Sequence, residues 1–235
     1  DYIGLSSSEL HGRNFDQETS RSAVGQPIGS FFVYEADGLF QSDAEIQNYK
    51  NDRGELLQPN AKPGDIRFKD LNGDGVINSD DRDFKGNPLP DCSMGLTLGF
   101  NYKNFDVSAF FQGVFGNEVY NLTNYLGEFY NQAQYNKNST ILDAWRPDNT
   151  DTDIPRVTLD DPNNNIRPST YYIHNASFVR LKNLKVGYTL PDKVASKLKL
   201  KRTYIYLQGQ NLFTITGYEA VSYTHLRAHE TLSDL

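Results

Sequence analysis

The sequence predicts an all-β protein, a portion of a transmembrane antiparallel β-barrel with long extracellular loops. Three observations lead to this fold class. Several stretches alternate between apolar and polar residues, which is typical of strands with one apolar face. A tight turn joins two of these stretches, whereas a long polar segment follows them. No stretch approaches the roughly 18 consecutive apolar residues that a membrane-spanning helix needs.

Composition excludes several classes of protein. With a net charge of -7, the chain has no broad basic surface, so we expect no nucleic-acid partner. A mean hydropathy of -0.62 is compatible with a barrel, because polar lumen-facing residues alternate with lipid-facing ones. The single cysteine, Cys92, cannot form an internal disulfide, and we expect it to be a passive residue at a strand end.

The sequence of the first part of the chain predicts only short strands and one short helix. Residues 1–23 are polar and have no clear period, and we expect a loop there. Residues 25–41 mix turn residues with short, aromatic-rich strands. Glu45 follows Ser42 by three residues, which predicts a short capped helix over residues 42–48.

Four stronger strands follow. Residues 93–102 alternate, and after Lys103 and Asn104 residues 105–112 alternate again, which predicts a hairpin with a tight turn. In residues 178–190 the apolar residues change from odd to even positions, and a bulge near Lys182 and Asn183 would place both sets on one face of the strand. Residues 203–213 form the fourth strand, after a short connection through Pro191.

The connections predict a topology. The polar segment of residues 117–170 is far longer than the roughly 4–6 residues of ordinary connections. Outer-membrane barrels have short periplasmic turns and long extracellular loops. If the turn at Lys103 and Asn104 is periplasmic, residues 70–83 lie on the extracellular side. A soluble β-sandwich with one long insertion is the alternative on pattern alone.

Residues 70–81 carry the sharpest local motif. Oxygen ligands stand at loop positions 1, 3 and 5, a glycine at 6, a carbonyl at 7 and an acid at 12, as in a calcium-binding loop. We expect a structural Ca²⁺, with Mg²⁺ as the alternative cation, and Ile77 can pack inward to anchor the loop. The other interpretation is an Asx-rich turn without metal. The predicted ligands are Asp70, Asn72, Asp74, the carbonyl of Val76, and Asp81.

No motif points to catalysis. There is no Gly-x-Ser-x-Gly sequence, no glycine-rich phosphate loop after a strand, and no metalloprotease motif around the four histidines. Acid pairs such as Asp160 with Asp161 or Asp151 with Asp153 suit glycoside hydrolysis in principle, but in so polar a loop we expect solvated acids. We therefore expect that the chain is not an enzyme.

The long loop is rich in aromatic residues. Aromatic faces suit stacking on sugars or packing against a partner protein. The alternative is that they pack the loop against itself. The candidate substrate- or partner-facing residues are Tyr120, Tyr125, Phe129, Tyr130, Tyr135 and Trp145.

A set of short motifs carries a family resemblance. Taken in order, they are similar to the C-terminal barrel portion of SusC/RagA family TonB-linked outer-membrane proteins of Bacteroidetes, over roughly residues 24–219. The motifs are GQPIGSFF at 25–32, GLFQ at 38–41, PGDI at 63–66 followed by the calcium-like loop, GNP at 86–88, YKNFD at 102–106, FFQG at 110–113, WRP at 145–147, PR at 155–156, FVRLKNL at 178–184, GY at 187–188 and NLF at 211–213.

The resemblance implies more than the residues show by themselves. It implies a 22-stranded barrel with an N-terminal plug in the bacterial outer membrane, in contact with lipid and energised through the TonB complex. It also implies a SusD-like surface lipoprotein as partner and uptake of oligosaccharides or peptides. We expect the plug and the last barrel strands to lie outside this chain.

The expected organisation is one partial barrel domain over residues 1–219, with the calcium-like loop 70–81 and the long loop 117–170. Residues 220–235 resemble the translated read-through of a sequencing adapter, and we expect a non-native tail there. The alternative function is a secreted calcium-dependent carbohydrate-binding or dockerin-like module. Dockerins need two such loops, and the sequence has one Asp-x-Asn-x-Asp-Gly motif.

Overall fold

The computed structural model describes residues 2–6, 18–128, 136–197, 199–201 and 203–218. Within these residues the chain forms three short α-helices, α1 (Asp43–Asn48), α2 (Leu122–Glu128) and α3 (Asp192–Lys197), and the 3₁₀ helices Ser79–Asp81, Ser139–Asp143 and Thr170–Tyr172. The strands are β1 (Tyr2–Ser6), β2 (Glu18–Ala23), β3 (Ser30–Tyr34), β4 (Ala36–Leu39), β5 (Ile66–Phe68), β6 (Arg82–Gly86), β7 (Cys92–Tyr102), β8 (Phe105–Phe115), β9 (Glu118–Tyr120), β10 (Ile173–Asn175), β11 (Phe178–Thr189) and β12 (Tyr204–Thr216).

The chain divides into two compact units. The first unit contains Asp1–Pro88 and Val119–His174, and the second contains Leu89–Glu118 and Asn175–Leu235. Each unit is therefore built from two separate stretches of chain. The predicted tail at residues 220–235 lies outside the described residues, so its prediction is untested.

The second unit contains a sheet of four antiparallel strands in the order β12, β11, β8 and β7. The predicted hairpin is confirmed, since Tyr102 pairs with Phe105 across the two-residue turn. Lys103 takes a left-handed conformation there, with φ of 53°. The fourth predicted strand is also confirmed, and as β12 it continues to Thr216.

The predicted bulge in β11 is confirmed. The register against both neighbouring strands shifts between Leu181 and Asn183. β12 has a bulge opposite this position, because Leu181 pairs with Phe213 and Asn183 pairs with Gln210, which leaves two residues of β12 between the pairs. One of these two residues, Asn211, has a φ of 51°. The extra residue keeps the apolar side chains on both sides of the bulge on one face of the sheet.

One face of this sheet is apolar and exposed. A cross-strand row on this face joins Phe100, Val107, Val186 and Leu207. Successive strand residues point to opposite sides, and the other face carries mostly polar residues together with Phe110, Val114 and Phe178. The large apolar side chains of this face on the two outer strands are 38–78 % exposed: Met94, Leu96, Leu98, Phe100, Tyr102, Ile205, Leu207, Phe213 and Ile215.

The first unit has a sheet in the order β1, β2, β3 and β6 and a two-stranded sheet of β4 and β5. The prediction of a loop over residues 1–23 is therefore wrong for residues 2–6 and 18–23. The polar sequence of β2 gives no apolar period, because the strand is stabilised by main-chain pairing with both neighbours. The short strands predicted within residues 25–41 are confirmed by β3 and β4.

The helix predicted over residues 42–48 is confirmed. Ser42 is its N-cap and accepts a hydrogen bond from the backbone N–H of Glu45 (3.3 Å). The Glu45 carboxylate turns back and accepts from the N–H of Gln41 (2.7 Å), one residue before the position expected in a capping box. Ile46 is buried and anchors the helix to the unit.

Two helices were not predicted. The long polar segment contains α2, and the lysine-rich connection after Pro191 contains α3. Among the described residues, none of the helices combines the length and apolar character required to cross a membrane.

The core of the first unit combines distant segments. Its buried residues come from β3, β4 and β5 and from the long segment after β9. The long polar segment therefore packs as part of this unit. The core cluster consists of Tyr34, Leu39, Ile66, Phe68, Trp145 and Tyr172.

Candidate functional site

The predicted calcium loop is closed by hydrogen bonds to its own side chains. Asp70 follows β5 by two residues and accepts from the backbone N–H groups of Gly73 (2.7 Å) and Gly75 (2.8 Å). Both glycines have positive φ, 73° and 88°, a conformation that side chains with a Cβ rarely adopt. The glycines thus let the chain turn sharply around the first predicted ligand.

Asp81 closes the other end of the loop. Its carboxylate is fully buried and accepts from the N–H groups of Leu71 (2.9 Å) and Asn78 (2.7 Å). Asn78 in turn accepts from the N–H of Asp80 (2.7 Å) and so caps the 3₁₀ turn Ser79–Asp81 that precedes β6. The last predicted ligand therefore ties the start of the loop to its end.

The middle of the loop is arranged around Asn72 and Asp74. Asn72 accepts from the N–H of Asp74 (2.8 Å), and Asp74 accepts from the N–H of Val76 (2.9 Å). The hydrogen bond from Val76 is the main reason why the pKa of Asp74 lies below its usual value. Asp74 is thus held in its anionic form, which is the form that binds a cation.

The loop contains the oxygen ligands that a hard cation such as Ca²⁺ prefers. In the described part of the chain, however, no three His, Cys, Asp or Glu side chains lie in an arrangement that could hold a metal ion. The two carboxylate oxygens of Asp70 accept one N–H each and retain a second lone pair. Oδ2 of Asp74 and Oδ1 of Asp81, in contrast, each accept two hydrogen bonds. Ile77 packs against the core cluster, as predicted. The metal site itself stays a prediction.

An open cleft of about 420 Å³ lies beside this loop. One wall is the turn that begins at Tyr49, and the other is the first half of the loop. The amide of Asn51 joins the two walls by donating to the carbonyl of Gly75 (3.2 Å). Sequence patterns did not reveal the cleft, because its walls are two separate turns. It is lined by Tyr49, Lys50, Asn51, Asp52, Arg53, Leu57, Lys69, Asp70, Gly73, Asp74 and Gly75.

Two of the predicted aromatic residues belong to the core of the first unit or pack against it. Trp145 is only 8 % exposed, belongs to the core cluster and donates from Nε1 to Oε1 of Gln41 (2.8 Å). Tyr120 packs against the cluster, with its ring centroid 5.4 Å from that of Tyr172 and 5.9 Å from that of Phe31. These contacts favour the interpretation in which the segment packs against itself.

The remaining aromatic candidates are not settled. Tyr125 lies on α2, and its side chain is not among those the structure describes. Phe129, Tyr130 and Tyr135 lie outside the described residues. A role in facing substrate or partner stays a prediction for these four.

A buried ion pair lies just before β5. Asp65 is fully buried and accepts from Nε (2.7 Å) and Nη2 (3.2 Å) of Arg156. It also accepts from the N–H of Lys62 (2.8 Å) and from the amide of Asn165 (2.9 Å). Four donors thus compensate for the loss of hydration of this carboxylate.

Side-chain amides continue this network along the free edge of β5. The N–H of Ile66 donates to Asn165 (2.8 Å), and the N–H of Phe68 donates to Gln58 (2.8 Å). The carbonyl of Ile66 accepts from both Gln58 (3.0 Å) and Asn163 (3.0 Å). These buried amides replace a neighbouring strand, and they hold the strand from which the calcium-like loop departs.

In the acid pair at Asp160 and Asp161, the carboxylate of Asp161 has a structural role. Asp161 accepts from the N–H groups of Asn165 (2.8 Å) and Ile166 (3.1 Å) and has φ of 41°. Its pKa is raised, mainly because the carboxyl is buried. It therefore shapes the turn that presents Asn163 and Asn165.

Comparison with known proteins places these features in context. No protein-family model matches the chain. Over 207 residues, or 88 % of its length, the chain is 37 % identical to TonB-dependent receptor P3 of Formosa agariphila, of which it covers 20 %. It is 28 % identical over 204 residues to TonB-dependent receptor SusC of Bacteroides thetaiotaomicron, covering 84 % of this chain and 17 % of the receptor.

Solved structures are also similar to this chain. The RagAB peptide transporter superposes with a TM-score of 0.63 at 26 % identity, over 93 % of this chain and 21 % of the transporter chain. The chain thus spans about a fifth of the length of its relatives. These relatives are receptors and a transporter rather than enzymes.

The homology accounts for the sheet of the second unit. Long antiparallel strands with one exposed apolar face are what a barrel wall requires in lipid. The predicted fold class and the predicted resemblance are both confirmed. The chain belongs to the SusC/RagA family of TonB-dependent receptors and forms part of the β-barrel that such a receptor places in the bacterial outer membrane.

Proposed function

We propose that this chain is part of an outer-membrane importer of oligosaccharides or peptides. The observation that carries the proposal is the 37 % identity to a TonB-dependent receptor across 88 % of the chain. Import in this proposal is energised by the TonB complex, and a SusD-like surface lipoprotein works with the receptor. SusC and the RagAB peptide transporter are the relatives that support this assembly.

The two faces of the sheet in the second unit support a transport role. The apolar face suits the hydrocarbon of a bilayer, and the polar face suits a hydrated interior through which nutrients pass. The alternative of a secreted calcium-dependent carbohydrate-binding or dockerin-like module leaves the exposed apolar side chains of β7 and β12 without a purpose.

Uptake by the complete receptor that contains this segment tests the proposal. We expect cells that express the receptor with its lipoprotein to accumulate a labelled oligosaccharide or peptide, and cells without TonB to lose this uptake. The control is the same strain without the receptor gene. Equal uptake with and without the receptor would contradict import by this protein.

The loop of residues 70–81 supports a second proposal, that it binds Ca²⁺ in a structural role. Asp70, Asn72, Asp74, the Val76 carbonyl and Asp81 would hold the ion, which would supply a fixed positive charge at the centre of the loop. The glycines with positive φ and the lowered pKa of Asp74 support this assignment. Mg²⁺ would find the same oxygens but demands a stricter octahedron.

Removing Asp74 tests the calcium proposal. We expect Asp74→Ala to weaken calcium binding roughly tenfold or more, because the charge and number of ligands set the affinity of such loops. Calorimetric titration measures the binding, and hydrogen exchange of the amides in residues 71–78 measures the order of the loop. With Ca²⁺ the exchange should slow in the unmodified protein and not in the variant.

The matched control is Asp148→Ala. Asp148 lies in the same unit and is 82 % exposed at its side chain, and among the described residues its one ion-pair partner is Arg146, so calcium binding should not change. If calcium leaves the exchange of residues 71–78 unchanged in the unmodified protein, the loop is an Asx-rich turn without a structural metal.

A further inference from the structure

One end of the sheet in the second unit is strongly basic. This end contains the two-residue turn between β7 and β8 and the connection of residues 190–203 between β11 and β12. Asn104 joins the turn to the end of β11, because its amide donates to the carbonyl of Thr189 (2.7 Å) and its carbonyl accepts from the N–H of Thr189 (2.8 Å). The basic residues of this end, the lysine cluster, are Lys103, Lys193, Lys197, Lys199 and Lys201.

The charge of the lysine cluster is not neutralised. All five lysines are exposed, and none of them has an ion-pair partner among the described residues. Asp192 is the single acidic residue within residues 190–203, although the whole chain has a net charge of -7. At the opposite end of the sheet, residues 89–91, 116–118 and 175–177 include two acidic residues and no lysine or arginine. The positive charge is therefore concentrated at one end.

The connection between β11 and β12 is compact. The N–H of Leu190 donates to the carbonyl of Thr203 (2.9 Å), which closes the connection at its base. Beyond α3 the chain turns back, since the N–H of Leu200 donates to the carbonyl of Ala195 (2.9 Å) and Lys199 has a φ of 57°. These hydrogen bonds hold the lysines close to the end of the sheet.

Exposed apolar residues accompany the lysine cluster. Val194 and Leu200 of the connection are 45 % and 48 % exposed. Aromatic residues on a membrane protein mark the level at which the hydrocarbon gives way to the lipid headgroups. The lysine cluster lies just beyond such a level, because the last cross-strand row on the apolar face of the sheet is largely aromatic. This row consists of Tyr102, Phe105, Tyr188 and Ile205.

We propose that the lysine cluster binds the headgroups of anionic phospholipids. The apolar face of the sheet meets the acyl chains, and the cluster continues this contact into the layer of phosphates. Lysines beside a membrane-embedded segment each add to the attraction of an anionic surface. The long apolar stem of lysine follows the hydrocarbon boundary while the ammonium group stays among the headgroups. Because short turns of outer-membrane barrels face the periplasm, the lipids belong to the periplasmic leaflet.

Photocrosslinking with lipids tests the inference in the complete receptor that contains this segment. The receptor is placed in phosphatidylcholine nanodiscs that contain a small amount of one probe, either phosphatidylglycerol or phosphatidylcholine, with a diazirine at the same position close to the headgroup. Mass spectrometry locates the label. We expect residues 103–104 and 190–203 to receive about fivefold more label from the phosphatidylglycerol probe, the factor that one lysine near an anionic surface supplies. High salt should reduce this preference, because salt screens exposed charges.

Removing the charges tests the residues themselves. Replacing Lys193, Lys197, Lys199 and Lys201 together by glutamine should abolish the preference for the phosphatidylglycerol probe. The matched control replaces the same four lysines by arginine, which keeps the charge and should keep the preference. Electrophoresis without boiling verifies that each variant forms a folded barrel.

The outcomes decide between two occupants of this surface. Equal labelling of residues 190–203 by the two probes, or a preference that survives in the glutamine variant, would overturn headgroup binding and favour an acidic protein partner. A preference that is lost with glutamine and kept with arginine would support it. Nutrient uptake does not enter these measurements, so the result is independent of the import proposal.

Discussion

Asp65→Ala is expected to lower the free energy of unfolding of the first unit by about 3–5 kcal/mol, the range for removing one partner of a buried ion pair. The substitution leaves the guanidinium of Arg156 without its carboxylate, and the N–H of Lys62 and the amide of Asn165 lose their acceptor. Because Asp65 is fully buried, these donors lose their partner in the interior of the unit.

Hydrogen exchange in the complete receptor provides the measurement. The backbone N–H groups of Ile66 and Phe68 donate to the buried amides beside Asp65, so their exchange reports on the opening of this unit. The control is Asp37→Ala, which breaks the pair with Arg67 at a side chain that is 45 % exposed and should cost at most about 1 kcal/mol. Similar losses for the two variants would show that the network around Asp65 contributes little.

Leu98→Arg is expected to have the largest effect in the second unit. Leu98 lies near the middle of β7 on the apolar face, so the variant places a charge close to the centre of the bilayer. Such a substitution on the lipid face of a barrel costs roughly 2–4 kcal/mol at the midplane. The complete receptor should consequently assemble less well in the outer membrane.

The neighbouring residue provides the matched control. Thr97→Arg adds the same side chain to the opposite face of β7, where water is accessible, and assembly should be close to normal. Electrophoresis without boiling, which separates folded barrels from unfolded chains, measures the folded fraction of both variants. Impaired folding of Thr97→Arg with normal folding of Leu98→Arg would reverse the assignment of the two faces.

The sequence predicted the second unit in detail. Alternation located β7, β8, β11 and β12, because one face of each strand is apolar and the period of two residues is strict. The phase switch in residues 178–190 even located the bulge. Local patterns suffice for such a sheet, because the alternation within each strand shows which of its residues form the lipid-facing side.

The first unit was predicted less well, and the reason is physical. Strands β1 and β2 have no apolar period, and α2 and α3 lie in polar stretches where propensity is a weak guide. The network around Asp65 joins residues about 100 positions apart, such as Asn165 at a separation of 100. No local sequence pattern predicts such a contact.

The candidate site was predicted only in part. The spacing of Asp70, Asn72 and Asp74 predicted a loop in which carboxylates and amides turn inward, and the structure has such a loop. The cleft was not predicted, because it forms only when a separate turn meets this loop through Asn51. For Trp145 the sequence left two alternatives, facing a substrate or partner and packing the segment against itself, and the structure places it in the core.

The amide side chains along β5 have a consequence for self-association. An open strand edge invites pairing with another chain, whereas Gln58, Asn163 and Asn165 occupy this edge without offering a ladder that a further strand could extend. Asn163 and Asn165 lie 97 and 99 residues beyond Ile66. Until Asn163 and Asn165 dock during folding, the edge of β5 is therefore open to pairing with another chain.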